Sequence, residues 1–165
     1  MEEIMNSIGP ALTFCVGIAT CWFTYVIINV IVTFFNAKKL DKSLTFCFNQ
    51  LGKIFYAAMT LLYVVTIIGS IYFIVVGFTS KNWSYCINAL NVLGFVTIVY
   101  AWQLSSIVLV GRKSMMIGRL LVDYRKIKKL NFGYTQKVSF VYSQQEYAFS
   151  VRFVDLTELK KRLAV

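Results

Sequence analysis

Apolar residues run through this chain in three long blocks that carry no charge. The windows Ala11–Phe35, Ile54–Phe78 and Cys86–Val110 each hold 25 residues, and all 24 charged side chains fall outside them. A helix rising 1.5 Å per residue needs about 20 residues to cross the ~30 Å hydrocarbon core of a bilayer. Buried helices of a water-soluble domain show a polar stripe and shorter apolar runs. The blocks therefore predict three transmembrane helices, at about 11–35, 54–78 and 86–104. The end of the third is open on pattern alone. Cys86–Trp102 is enough for an untilted span, leaving Ser105–Val110 (SSIVLV) as a β-branched strand, or the helix continues to Val110.

Between the first two blocks, Asn36–Lys53 mixes basic and apolar positions, with Leu44, Phe46, Phe48 and Leu51 among polar neighbours. Two readings stand: Asp41–Lys53 is an amphipathic segment on the membrane surface, or the second span begins early. After the third block the pattern shortens. Ser114–Ile117 and Leu120–Val122 flank Gly118-Arg119 as a hairpin, Asp123–Leu130 (DYRKIKKL) is densely basic, and Asn131–Thr135 reads as a turn. Lys137–Tyr142 alternates strictly, Ser143–Glu146 turns the chain, and Tyr147, Phe149, Val151 and Phe153 alternate again, which predicts an antiparallel hairpin with one buried face. Asp155 followed by Glu158 has capping-box spacing, and Leu156, Leu159 and Leu163 form one face of a closing helix. The expected architecture is a helical membrane domain over 1–104 and a small α+β domain over 105–165.

Composition agrees with the pattern. The chain is 58% hydrophobic and 15% charged, against ~45–50% and ~25% in soluble domains. The first block is expected to be an uncleaved span, because Glu2 and Glu3 stand where a signal peptide is basic and the apolar run is too long. Lys38, Lys39, Lys42 and Lys53 fill the loop after span one, while only Lys81 follows span two. The tail from Gly111 has twelve basic and four acidic residues, a formal +8. The positive-inside rule then predicts an N-terminus outside and a C-terminus in the cytoplasm. Intramembrane amides at Asn29, Asn88, Asn91 and Gln103 are expected to serve helix packing or to line a polar path; Asn88 and Asn91 share a face. Cys15, Cys21, Cys47 and Cys86 form no CxxC pair, and a Cys15–Cys86 bridge has no support beyond their common side of the membrane.

Several segments of the tail carry a resemblance. IVLVGRKSMMIGRLLVDYRKIKKL, the strand pair KVSFVY and YAFSVRFV, and the helix DLTELKKRL together resemble the small pleckstrin-homology-like domains of bacterial membrane proteins. The similarity covers about a third of the chain and lies in residue classes. It implies a cytoplasmic module placed after membrane spans. Ser105–Leu163 is shorter than seven strands plus a helix, which implies a barrel that is reduced or completed by another chain.

The chemistry expected of such a protein is recognition. With no His, no paired acids in the spans and no phosphate-binding Gly-rich loop, neither catalysis nor a cofactor or metal is expected. Arg112, Lys113, Arg125, Lys126, Lys128 and Lys129 are the candidate lipid- or partner-binding residues. Basic clusters beside a span are drawn to anionic lipid, the nearer partner than nucleic acid. A protein partner or a second copy could pack on the spans. The resemblance implies self-protection against antimicrobial peptides as one role, and an accessory subunit of a transport or secretion complex is the alternative.

Overall fold

A computed structural model of the chain describes residues 2–132 and 137–163. Three helices dominate it: α1 (Glu2–Leu40), α2 (Gln50–Thr79) and α3 (Trp83–Ser105). All three are long and apolar enough to cross a membrane, α1 over Thr13–Leu40. Their outer surfaces are apolar too. Trp22, Ile68 and Phe95 are each about two-thirds exposed, and continuous exposed apolar surface of this kind is what lipid, rather than water, covers.

The chain divides into two compact units. The first comprises the helical stretches up to Ile27 and from Ala58 to Trp102. Its helices touch closely at Gly94, where a Cβ atom would lie 2.5 Å from Val16 Cγ1 and 2.7 Å from Thr20 Oγ1. Only glycine lets the α1 and α3 backbones approach so far. Tyr63 and Tyr100 stack at 4.4 Å, the Tyr100 hydroxyl shares a 3.2 Å hydrogen bond with Thr60, and Ser70 Oγ donates to the Ala89 carbonyl. No disulfide joins Cys15 to Cys86; the Cys86 thiol is buried and points at the Ile74 carbonyl.

The second unit, Ile28–Ala57 with Gln103–Val165, holds two antiparallel sheets. Strands β1 (Thr45–Phe46), β2 (Val108–Val110), β3 (Ser114–Ile117) and β4 (Leu120–Asp123) form the first in that order. Strands β5 (Ile127–Phe132), β6 (Lys137–Tyr142) and β7 (Gln145–Ser150) form the second, and α4 (Leu156–Leu163) closes the chain. The third span thus ends at Ser105, and only Val108–Val110 is strand. Between them Ser106 and Ile107 still donate to the Gln103 and Leu104 carbonyls, tightening the helix end.

Alternate residues of the first sheet serve two cores. Val108, Val110, Met115 and Val122 pack with Val138, Phe140 and Phe149 of the second sheet and with Leu159 of α4. Leu109 and Met116, on the opposite face, pack with Val30, Ala37, Leu44 and Tyr56. A sheet covered on both faces reads as unbroken apolar runs. Phe140 is fully buried, a contribution of about 1.5–3 kcal/mol.

Two expectations are sharpened and one lies largely outside the described residues. Within Asp41–Lys53, Thr45 pairs with Val110 and Phe48 bridges to Val154, and the second helix does begin early, at Gln50, capped by Asn49, which accepts from the Gly52 amide at 2.6 Å. The last hairpin turns on Ser143 and Gln144 alone, both left-handed (φ 50° and 69°), and β7 starts at Gln145 and stops at Ser150. The turn expected at Asn131–Thr135 lies largely outside the described residues. The cap of α4 is as anticipated: Asp155 Oδ1 accepts from the Thr157 and Glu158 amides and from the Thr157 hydroxyl, which holds its carboxyl below the usual range.

Candidate functional site

The polar centre of the second unit is Asp41, one residue beyond the last turn of α1. It is the sole carboxylate between Glu3 and Asp123, and its side chain is buried. One carboxylate oxygen accepts from the Ser43 amide at 3.0 Å and from the Ser43 hydroxyl. The other accepts from the Lys113 amide at 3.0 Å and faces Ser114 Oγ at 3.5 Å. Ser43 Oγ in turn accepts from the Arg112 amide at 2.8 Å. Burial alone would raise the Asp41 pKa, but these donors outweigh it and hold the carboxyl down to about 2. Gly111 fits because a Cβ there would meet the same carboxylate.

The clasp fixes which charges meet. The β2–β3 turn, Gly111–Lys113, is bound to Asp41 and Ser43 just past the end of α1, so the backbone of Arg112 and Lys113 is held at a segment that carries Lys38, Lys39 and Lys42 within a few residues. The Tyr124 amide donates to the Lys113 carbonyl and its hydroxyl to the Gly111 carbonyl. That docks the 3-10 turn Tyr124–Lys126 alongside, with Asp123 capping it through the Arg125 amide. Arg112, Lys113, Arg125 and Lys126 are all exposed. Lys128 and Lys129 are exposed as well but follow on β5, where the ladder shifts register and Lys129 takes φ 51°. The six basic residues anticipated from sequence are therefore sorted: four border the clasp, and two lie beyond it.

Asp41 was not among the anticipated residues. Its signal was present, since a lone acid inside a basic loop, two residues before a serine, invites an Asx turn. The amides separate as well. Asn88 is exposed and lines a cleft of about 400 Å³ with Thr66, Gly69, Ser70, Phe73 and Tyr85. Asn91 Oδ1 and both side-chain polar atoms of Gln103 are buried and find no hydrogen-bond partner among the described residues. Asn29 is half-buried on α1, and its carbonyl accepts from Thr33. No three His, Cys, Asp or Glu side chains converge as metal ligands among the described residues.

No protein-family model matches the chain, and neither does any curated protein or any solved structure. The functional reading accordingly rests on these residues and their geometry.

Proposed function

We propose that the chain is a multi-pass membrane protein with a cytoplasmic, pleckstrin-homology-like interaction module held against the anionic inner leaflet, and that it acts by binding rather than catalysis. The observation that carries this reading is the Asp41 clasp. It ties Arg112, Lys113, Arg125 and Lys126 to the end of an apolar helix already flanked by Lys38, Lys39 and Lys42. Charges fixed at that point meet lipid headgroups, at ~1 kcal/mol of attraction per basic side chain near the surface. Supporting the domain type are the seven strands among the described residues, arranged as sheets of four and three, with a helix after the last of them. On this reading the strand that Ser105–Leu163 lacks is supplied by Thr45–Phe46 of the same chain, which pairs with β2.

Reconstituting the full-length protein in mixed phosphatidylcholine and phosphatidylglycerol bilayers, then analysing the lipid retained in mild detergent, tests the proposal. Phosphatidylglycerol is expected to be enriched, and replacing Arg112, Lys113, Arg125 and Lys126 with Gln should remove most of that enrichment. Retained lipid of the same composition as the bilayer would sink the reading.

The Asn88 cleft favours one further role, that of a subunit docking a partner within the membrane, because an exposed amide in hydrocarbon gains from a hydrogen-bonding neighbour. Asn88→Leu should then release a protein that co-purifies with the natural chain. A chain that emerges alone from its native membrane would count against that role.

A further inference from the structure

The second unit contains a half-open cleft of about 160 Å³ between the end of α1 and the first sheet, with walls that include Val30, Ile31, Phe34, Phe46, Leu109 and Met116. Every side chain lining it is apolar. Its rim residues Ile31 and Phe46 are nearly half exposed, so the cleft opens outward instead of being sealed in the core. Two of its wall residues are stacked, Phe34 on Phe46 at 5.6 Å, and behind them the stack continues through Phe48 at 5.4 Å to Tyr56 at 4.4 Å.

We propose that this cleft holds one acyl chain of an anionic glycerophospholipid whose phosphate is met by Lys38 and Lys39. The inference rests on the membrane reading above and adds a defined lipid site to it. Depth is the first argument. Ile31 and Phe34 stand four residues and one residue before Phe35, where the charge-free apolar block of the first span ends, which at 1.5 Å per residue is roughly 2–6 Å inside that block. That is the boundary where acyl chains begin below the headgroups. Charge complementarity is the second. Lys38 Nζ sits 5.5 Å from the centre of the Phe34 ring, one helical turn above the cleft wall. An apolar slot roofed by an ammonium group matches a lipid, whose phosphate stands directly above its chains. A partner helix would leave that cation without a counter-charge, and a neutral lipid would not use it.

Native mass spectrometry of the full-length protein in mild detergent, titrated with phosphatidylglycerol or phosphatidylcholine of identical chains, tests the site. One phosphatidylglycerol is expected to be retained at about tenfold lower concentration than phosphatidylcholine, a factor equivalent to about 1.4 kcal/mol. Ile31→Trp, which fills the cleft, should lower retention of both lipids. Lys38→Gln should bring the two lipids close to parity. Ile31→Ala, which widens the cleft, should keep the bound lipid and so shows that loss in the Trp variant comes from filling and not unfolding. Undiminished retention in Ile31→Trp overturns the cleft, as does equal loss in the Ala variant. If the Arg112, Lys113, Arg125 and Lys126 variant still loses its phosphatidylglycerol enrichment, the basic-patch reading stands without the cleft. If instead only the cleft variants respond, the patch reading fails and the cleft remains.

Discussion

Asp41 shows how much one side chain can organise. Its four donors come from Ser43, Lys113 and Ser114, so truncation strands two backbone amides and two hydroxyls in a largely part-buried place. Asp41→Ala is expected to cost about 1–3 kcal/mol in detergent-solubilised unfolding. Asp41→Asn should cost nearly as much, because its NH₂ would face donors on one side. A pH effect follows from the same bonds. The folded carboxyl, at about 2, lies below its ordinary 3.8, so its ionised form stabilises the protein fully above about pH 4–5 and progressively less as pH falls toward 2. Melting curves of the natural protein and Asp41→Ala should therefore converge over that acid range; a constant gap would show that the carboxylate's charge is irrelevant. Gln103 makes the opposite case. Its amide is buried without a partner, so the near-isosteric Gln103→Met should be neutral or stabilising by about 1 kcal/mol. A clear loss of stability would reveal a bound water or partner group at that amide.

At the scale of elements, the parts legible from sequence were those with one buried face or none. The three spans stood out as charge-free blocks, and β6 stood out because Val138 and Phe140 are buried while the positions between them are less so. The cap of α4 announced itself in Asp155 and Glu158. The first sheet was harder to read because it is covered on both sides: Val108 and Val110 face one core, Leu109 the other, and the period-2 signal vanishes. Strand β1 was invisible for another reason. Two residues carry no periodicity, and the pairing of Thr45 with Val110 is a long-range fact that no local window contains. The pattern places the final turn at Ser143–Glu146 but two residues too long, since Ser143-Gln144 adopts left-handed angles without the Asn-Gly signature that normally marks a two-residue loop. Within the candidate site, the basic residues were visible as charge; their division between clasp and β5 was not, because it depends on which backbone amides Asp41 and Ser43 capture.

For the whole molecule, the consequence is that 105–165 is not a self-sufficient piece. Expressed alone, it would expose the open edge of β2 together with Leu109 and Met116, and unpaired apolar edges associate. That fragment is expected to aggregate or to unfold without a cooperative transition; a sharp reversible melt would show that β1 is dispensable. Sidedness needs its own test. Cys47 is buried and unsuited to labelling, whereas Ser80 and Gln145 are exposed. In intact cells an impermeant maleimide should label Ser80→Cys and spare Gln145→Cys in a background free of other cysteines. The reverse pattern would invert the proposed orientation.

Strand β1 also sets an order of events during synthesis. Thr45 and Val110 are 65 residues apart, and the whole of α2 and α3 emerges between them. The first sheet can close only once that helical pair has returned the chain to the side it left. A nascent chain whose hairpin fails to insert would leave β2 with a bare edge, open to pairing with other chains. Pairing of the two-residue strand thereby makes completion of the first sheet depend on where the two helices before β2 deliver the chain.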